Sequence, residues 1–477
     1  MKKLFITLTL IIIAFSLHAQ SLVGTWYGTL NVQGNKIPLV FHINKTGDAY
    51  TGSMDSPTQG ANGLPATATA VTGNQITIDL AKFGIKYVGT YHPDSNQIAG
   101  NFLQGGGSFP LNLSANKPLG IKSALAARPQ DPTSFPYHRE DVTFTNPKAG
   151  NRLAGTLTLP PNGKASKIVV FITGSGPENR NEEIAQYNHR PFLVWSDWLT
   201  RQGIATLRYD DRGIDQSTGD YATATTADLA DDAEAAVNYI HSRTDLKQLT
   251  VGLIGHSEGG MIAPMVASRN ANVKFLVLLA GPGVPINELM VQQNASFMRL
   301  AGTPADVIQR NEATNQKLYA AAKQYQNLPD SAFKAQLATV LYQDFHNYPA
   351  GALGNNKLED VVNSSVNAIS NPWFRYFITF KPADYLTKIK CPVLAINGTL
   401  DMQVNSTTNL AAIKTNLQKA GNKNHQEVAM LGLNHLFQQA KTGSTTEYSE
   451  ITETANPAAL QKVSSWINQL SISTTKK

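Results

Sequence analysis

Between Leu249 and Ala267 the chain passes from a buried strand to a buried helix through a single pentapeptide. Residues 249–254 form a short apolar segment rich in β-branched side chains, residues 261–267 are apolar throughout, and Gly255-His256-Ser257-Glu258-Gly259 joins them. So short a junction leaves no space for side chains where strand and helix cross, and a glycine stands two residues before and two after Ser257. The pattern predicts a strand over 249–254 and a helix over about 257–269. Elements this apolar belong in a layered core, with a mostly parallel sheet covered by helices on both faces.

The rest of the chain from Tyr137 onward fits that frame. Residues 141–145 and 153–159 read as an opening hairpin, followed by strand-like segments at 167–172, 204–209, 249–254, 273–280, 393–396 and 426–430. Helical patterns separate them at 192–202, 226–242, 257–269, 407–419 and 457–470. The alternation breaks once. Residues 284–385 are helix-rich, clearest over 301–325 and 332–345, and end in the aromatic cluster Trp373, Phe374, Tyr376 and Phe377. An interval this long after the sixth strand is no simple connection, and the expectation is a helical cap over a site.

The N-terminal part has a different grammar. Residues 1–19 carry two lysines, an apolar run and a small-residue end at Ala19, the pattern of a secretory signal peptide cleaved after Ala19. The expected product is exported, periplasmic or secreted, and soluble; Gln20 stands where a lipid-anchored protein needs cysteine, and no later stretch is apolar enough to span a bilayer. Residues 20–115 alternate in short segments between Gly/Asn/Asp turns and predict a small all-β domain, barrel or sandwich, with Trp26, Tyr27, Phe41, Tyr50, Phe83, Tyr87 and Phe102 in its core. Pro118, Pro129, Pro132 and Pro136 mark residues 116–136 as a linker. The hydrolytic part is expected over 137–472, with its cap at about 284–385.

Charge and cysteine content narrow the partners. The net charge of +6 falls to +4 when Lys2 and Lys3 leave with the signal (6 − 2), and the basic residues are scattered, so a nucleic-acid partner is not expected. The single cysteine, Cys391, excludes an intramolecular disulfide and reads as a small core residue at a strand start.

A Gly-x-Ser-x-Gly turn between strand and helix resembles the nucleophile elbow of α/β hydrolases. In that family nucleophile, acid and histidine follow one another along the chain, which directs attention to Ser257, then to Asp401 in the loop after the strand at 393–396, then to a downstream histidine. His425 falls at the start of the last strand, whereas His435 follows it in a loop, so His435 is the expected base. The expected oxyanion donors are the backbone amides of Ser175, in Gly174-Ser175-Gly176-Pro177, and of Glu258, with Gly174 next in line. Glu258 also suits the first turn of a helix as an acid. His256 is expected to point away from the nucleophile and pack.

The resemblance extends over about residues 137–472. Gly174-Ser175-Gly176-Pro177-Glu178-Asn179-Arg180, Asp210-Asp211-Arg212-Gly213 and Gly255-His256-Ser257-Glu258-Gly259-Gly260 look like the signature loops of α/β hydrolases of the exported bacterial esterase type, and the N-terminal β segment is similar to an accessory domain found ahead of such enzymes. One departure is Asp215, where relatives often have a glycine. The resemblance implies hydrolysis of a small-molecule carboxylic ester through an acyl-enzyme, with no metal or organic cofactor. A serine peptidase or aminopeptidase on the same fold is the alternative; for it Glu178, Glu182 and Glu183 are candidate ligands of a free amino terminus. The acyl chain, the oligomeric state and the task of the β domain are not encoded in these motifs.

Overall fold

Alternating burial along the strands writes out the first of two compact units, Met1–Ser123 and Ala124–Lys477. The computed structural model describes residues 22–32, 35–56, 61–104, 107–116, 128–349, 351–353 and 357–471. The expected signal segment lies outside these residues. The first unit contains β1 (Gly24–Val32), β2 (Asn35–Thr46), β3 (Ala49–Ser56), β4 (Ala61–Pro65), β5 (Ala68–Thr72), β6 (Gln75–Leu80), β7 (Ile85–His92), β8 (Gln97–Gln104), β9 (Gly107–Pro110) and β10 (Leu113–Ser114). In β6, Ile76, Ile78 and Leu80 are buried and the residues between them are not, the period of two that faces one side of a strand to a core.

These strands make one antiparallel sheet in the order β4-β3-β2-β1-β10-β8-β7-β6-β5, with β9 beside β8. Ala66 donates to Gly52 of β3 and Thr67 to Asp79 of β6, so the short β4–β5 connection ties the two ends of the sheet together and curls it. Trp26, Phe41, Tyr87 and Phe102 fill the interior as expected. Phe83 does not: it is 39% exposed, because it lies in the single 3₁₀ turn (Ala81–Phe83) between β6 and β7 instead of on a strand face.

The second unit is built on an eight-stranded sheet. Its strands are β11 (His138–Thr145), β12 (Arg152–Leu159), β13 (Lys167–Ile172), β14 (Ala205–Tyr209), β15 (Thr250–His256), β16 (Val273–Leu279), β17 (Val393–Gly398) and β18 (His425–Met430), in the order β11-β12-β14-β13-β15-β16-β17-β18. β11, β12 and β14 pair antiparallel; every pair from β14 to β18 is parallel. The chain order reverses at β13, which has β14 on one side and β15 on the other, and such a switch point opens a crevice beyond the carboxyl ends of those strands.

Helices cover both faces because successive strand residues face opposite ways. Ile168, Val170 and Ile172 of β13 join a core with α2 (Thr226–Ser242) and α3 (Gly259–Ala267), while Val169 and Phe171 face α1 (Pro191–Arg201) and α11 (Pro457–Gln469). α2 starts where Thr225 and Asp228 form a reciprocal capping box. Between β16 and β17 runs the helical insertion: α4 (Ile286–Leu300), α5 (Ala305–Tyr325), α6 (Asp330–Phe345), α7 (Leu358–Ala368), α8 (Pro372–Phe377) and α9 (Ala383–Leu386); α10 (Ser406–Lys419) follows β17. α5 begins later than its apolar pattern because Gly302, at φ +72°, and Pro304 break the chain between α4 and α5.

Residues 128–136, counted in the expected linker, belong to the second unit. Arg128 is buried and donates to the carbonyls of Tyr187 and Tyr448, and Gln130 bonds Thr454 and Ala455. An arginine donor fork closed by backbone carbonyls is a strap, not a spacer. Among the described residues no helix is long and apolar enough to cross a membrane.

Candidate active site

Ser257 has φ +51°, a left-handed backbone that a non-glycine residue adopts at a cost. The crossing around it is as tight as the sequence implies: a Cβ on Gly255 would lie 2.0 Å from the carbonyl oxygen of Gly259, and one on Gly259 would lie 2.2 Å from that of Ile172. α3 therefore starts at Gly259 and not at Ser257, since a residue in the left-handed region cannot open a right-handed helix. The Ser257 amide donates to Leu279 of β16 at 2.9 Å, which pins the turn to the sheet.

Asp401 and His435 come together from the loops after β17 and β18. His435 Nδ1 lies 2.8 Å from Asp401 Oδ2, and the other carboxylate oxygen accepts the amides of Gln403 and Val404, each at 2.8 Å. Both residues are buried. The His435 loop is not a loose one: Asn434 Oδ1 accepts the amides of Leu436 and Gln438, its side-chain N–H donates to Gln438 Oε1 at 3.0 Å, and Phe437 holds φ +59°. No hydrogen bond joins Ser257 to His435 among the described residues, although both line one cavity; such contacts are often open before substrate arrives. His425 starts β18 and pairs with Glu427, outside the site.

The loop after β13 presents its amides selectively. That of Gly174 is taken by Glu182 Oε1 at 2.8 Å and that of Gly176 by the Tyr221 hydroxyl at 3.0 Å. The amides of Ser175 and Glu258 have no acceptor among the described residues, and both residues line the cavity that holds Ser257 and His435. The neighbouring motifs brace this loop. Arg180 pairs with Asp210 at 2.6 Å, and Asp211 accepts the Thr173 hydroxyl and the Glu178 amide. Asp215 sits at φ +44°, a left-handed conformation that is open to glycine and tolerated by aspartate.

The cavity has a volume of about 300 Å³. Leu289, Met290 and Phe377 of the insertion give it an apolar side, and Trp373 stacks on Phe377 with ring centres 4.6 Å apart. The same cavity is lined by carboxyl groups whose part no motif signals. Glu258 is fully enclosed and accepts the Thr226 hydroxyl at 2.6 Å and the Trp373 indole N–H at 2.9 Å, with the Ser175 side chain a further donor. Burial raises its carboxyl above the usual range against those donors. Glu178 faces the cavity with one oxygen buried and unpartnered among the described residues; burial first, then the charges of Glu182 and Asp211, push it well above the ordinary carboxylate value. Glu182, at φ +51°, bonds His256, and Glu183 pairs with Arg190.

A reversed parallel sheet, a strained serine between β15 and α3, and an acid and a histidine in the loops after β17 and β18 define the architecture: the second unit has the α/β-hydrolase fold. Residues 166–337 match the family described as serine aminopeptidase, S33. Esterase EstD of Thermotoga maritima is 30% identical over 180 residues, which are 37% of this chain and 40% of that protein. The uncharacterized protein YfhR of Escherichia coli is 30% identical over 125 residues, 26% of this chain and 40% of its own length. The chain thus spans about 40% of the length of these curated relatives. Among solved structures, the Pyrococcus furiosus esterase Pf2001 is similar at 16% identity and a TM-score of 0.40, covering 70% of this chain and 91% of its own. The hypothetical protein PA2218 of Pseudomonas aeruginosa is similar at 17% and 0.42, covering 74% and 99%.

Proposed function

We propose that the second unit is a serine hydrolase of carboxylic esters. Ser257 Oγ attacks the ester carbonyl carbon while its proton passes to His435 Nε2, and the amides of Ser175 and Glu258 receive the developing oxyanion. Asp401 fixes the imidazole through Nδ1 and stabilises the imidazolium. His435 then protonates the departing alcohol. Water, activated by the same histidine, attacks the acyl group on Ser257 and releases the acid. The reaction needs no metal or organic cofactor.

The observation that carries this reading is the 2.8 Å contact between His435 Nδ1 and Asp401 Oδ2, which leaves Nε2 for a cavity shared with strained Ser257. The insertion is read as a cap because Leu289, Met290, Trp373 and Phe377 wall that cavity, and export is proposed from residues 1–19 alone. Peptidase activity is the second reading, favoured by the description of the matching family and by unpartnered Glu178. Against it, Glu182 and Glu183 are already engaged by His256, Gly174 and Arg190 and are not free for an amino terminus.

The test is turnover of p-nitrophenyl acetate, butyrate and octanoate beside aminoacyl-p-nitroanilides, by wild type and Ser257→Ala. Ester turnover with a preferred chain length, lost in the variant, is expected. Serine-dependent cleavage of anilides without ester turnover moves the assignment to a peptidase.

A further inference from the structure

His256 precedes the serine but serves none of the chemical steps above. Its ring lies between the two loops that do. Nδ1 is 2.8 Å from Glu182 Oε1, and Nε2 is 3.1 Å from the carbonyl oxygen of His435. The same Glu182 oxygen accepts the Gly174 amide at 2.8 Å. A continuous path therefore runs from the loop after β13, through Glu182 and His256, to the backbone of the proposed base. It joins residues 74 and 179 positions from His256 in sequence.

Proton bookkeeping sets a condition on that path. A carbonyl only accepts, so Nε2 must carry a proton; a carboxylate oxygen and a ring nitrogen meet at 2.8 Å only with a proton between them. The Glu182–His256 pair thus holds two protons when both contacts exist. Remove one, and either lone pair faces lone pair at Glu182 or the His435 carbonyl loses its donor.

We propose that His256, protonated in its pair with Glu182, is a positioning residue that fixes the oxyanion loop and the His435 loop relative to Ser257, and that deprotonation of the pair switches the site off in alkali. This deepens the esterase reading and rests on it for its kinetic arm. The groups facing His256 agree with the condition. Burial works against a charged ring, but the Glu182 carboxylate, the His435 carbonyl and the charge of Asp401 outweigh it and raise His256 above its ordinary value. The His435 ring stands 4.8 Å away and Phe437 adds an apolar wall. His189, held ahead of α1 and lowered to about 4 by burial, is neutral at working pH and does not compete.

The sign follows from the raised value. The pair keeps its protons below and through the ordinary histidine range and loses one only as pH climbs above it, so the loss appears as an alkaline limb. The experiment is the pH profile of kcat for an ester in wild type, Glu182→Gln and His256→Asn, with ¹⁵N and ¹H NMR of the imidazoles in Ser257→Ala. Glu182→Gln keeps an acceptor for Gly174 but removes the charge, so its alkaline limb is expected to move down by about one pH unit or more. His256→Asn is expected to lower kcat at every pH and to show no such limb. At neutral pH NMR is expected to show Nε2 protonated and a downfield proton between Nδ1 and Glu182 that disappears in alkali. A limb unmoved in Glu182→Gln, or a ring with Nε2 bare at neutral pH, overturns the proposal. If no ester is turned over, the esterase reading fails while NMR still decides the state of the pair.

Discussion

Trp373 on α8 donates its indole N–H to the carboxylate of Glu258, 2.9 Å from Oε1, and Glu258 is the residue that follows Ser257. A helix of the insertion is thereby bonded to the turn that carries Ser257, the proposed nucleophile, across 115 residues of sequence. The contact gives an aromatic wall a fixed place, and it adds an N–H donor to a buried carboxyl group that Thr226 and Ser175 also hold.

Trp373→Phe separates these two effects. The substitution keeps a ring to stack on Phe377 but withdraws the indole donor, and leaving a buried polar group short of a partner costs about 1–3 kcal/mol. A fall in kcat/KM of about tenfold or more on the preferred ester is expected. Steady-state kinetics over several chain lengths check it; unchanged kcat/KM on every ester removes Trp373 from the pocket.

Asp401→Asn keeps the size of the side chain and the acceptor for Gln403 and Val404 but presents His435 with an amide. The imidazole loses both its orientation and the charge that stabilises its protonated form. A drop in kcat on the order of 10³–10⁴ is expected, with little change in KM. Burst kinetics with p-nitrophenyl butyrate measure the acylation step directly.

Gly259→Ala tests the crossing itself. A methyl group there lies 2.2 Å from the Ile172 carbonyl oxygen, which is backbone of a central strand and cannot swing aside. Overpacking of this kind costs about 1–3 kcal/mol or more, and a lower denaturation midpoint together with lost activity is expected. A variant as stable as wild type contradicts the tight elbow.

Acid stability depends in part on His189. Its ring is fully buried, Nε2 bonds the Thr454 carbonyl, and Nδ1 has no partner among the described residues; burial lowers its pKa from 6.5 to about 4. The folded form resists a proton that the unfolded chain accepts. Its contribution is complete above pH 6.5 and is lost as pH falls from there towards 4, by up to about 3 kcal/mol. Urea titrations across that range are expected to show a shallower acid loss in His189→Gln than in wild type.

Local signals carried much of this structure into view. β13 and α2 run over the residues predicted, because a β-branched apolar run and a Thr-x-x-Asp cap are short-range statements about backbone preference. The positions of Ser257, Asp401 and His435, the proposed triad, are legible for a related reason: each lies just past the carboxyl end of a recognisable strand. The contacts of Glu182, His256 and Trp373 are not legible in the sequence, since their partners lie 74, 179 and 115 residues away and no periodicity encodes such a meeting. Residues 128–136 misled for the opposite reason. Their prolines suggest a spacer, yet the Arg128 donors close onto carbonyls from Tyr187 and Tyr448 that only the finished fold supplies.

The most direct test of the central claim is covalent. A fluorophosphonate mimics the tetrahedral intermediate and reacts only with a serine whose proton has a base to receive it. Intact-mass and peptide mapping of the labelled protein should find one adduct, on Ser257, absent from Ser257→Ala and strongly slowed in His435→Ala. No adduct, or an adduct elsewhere that survives Ser257→Ala, would contradict Ser257 as the nucleophile.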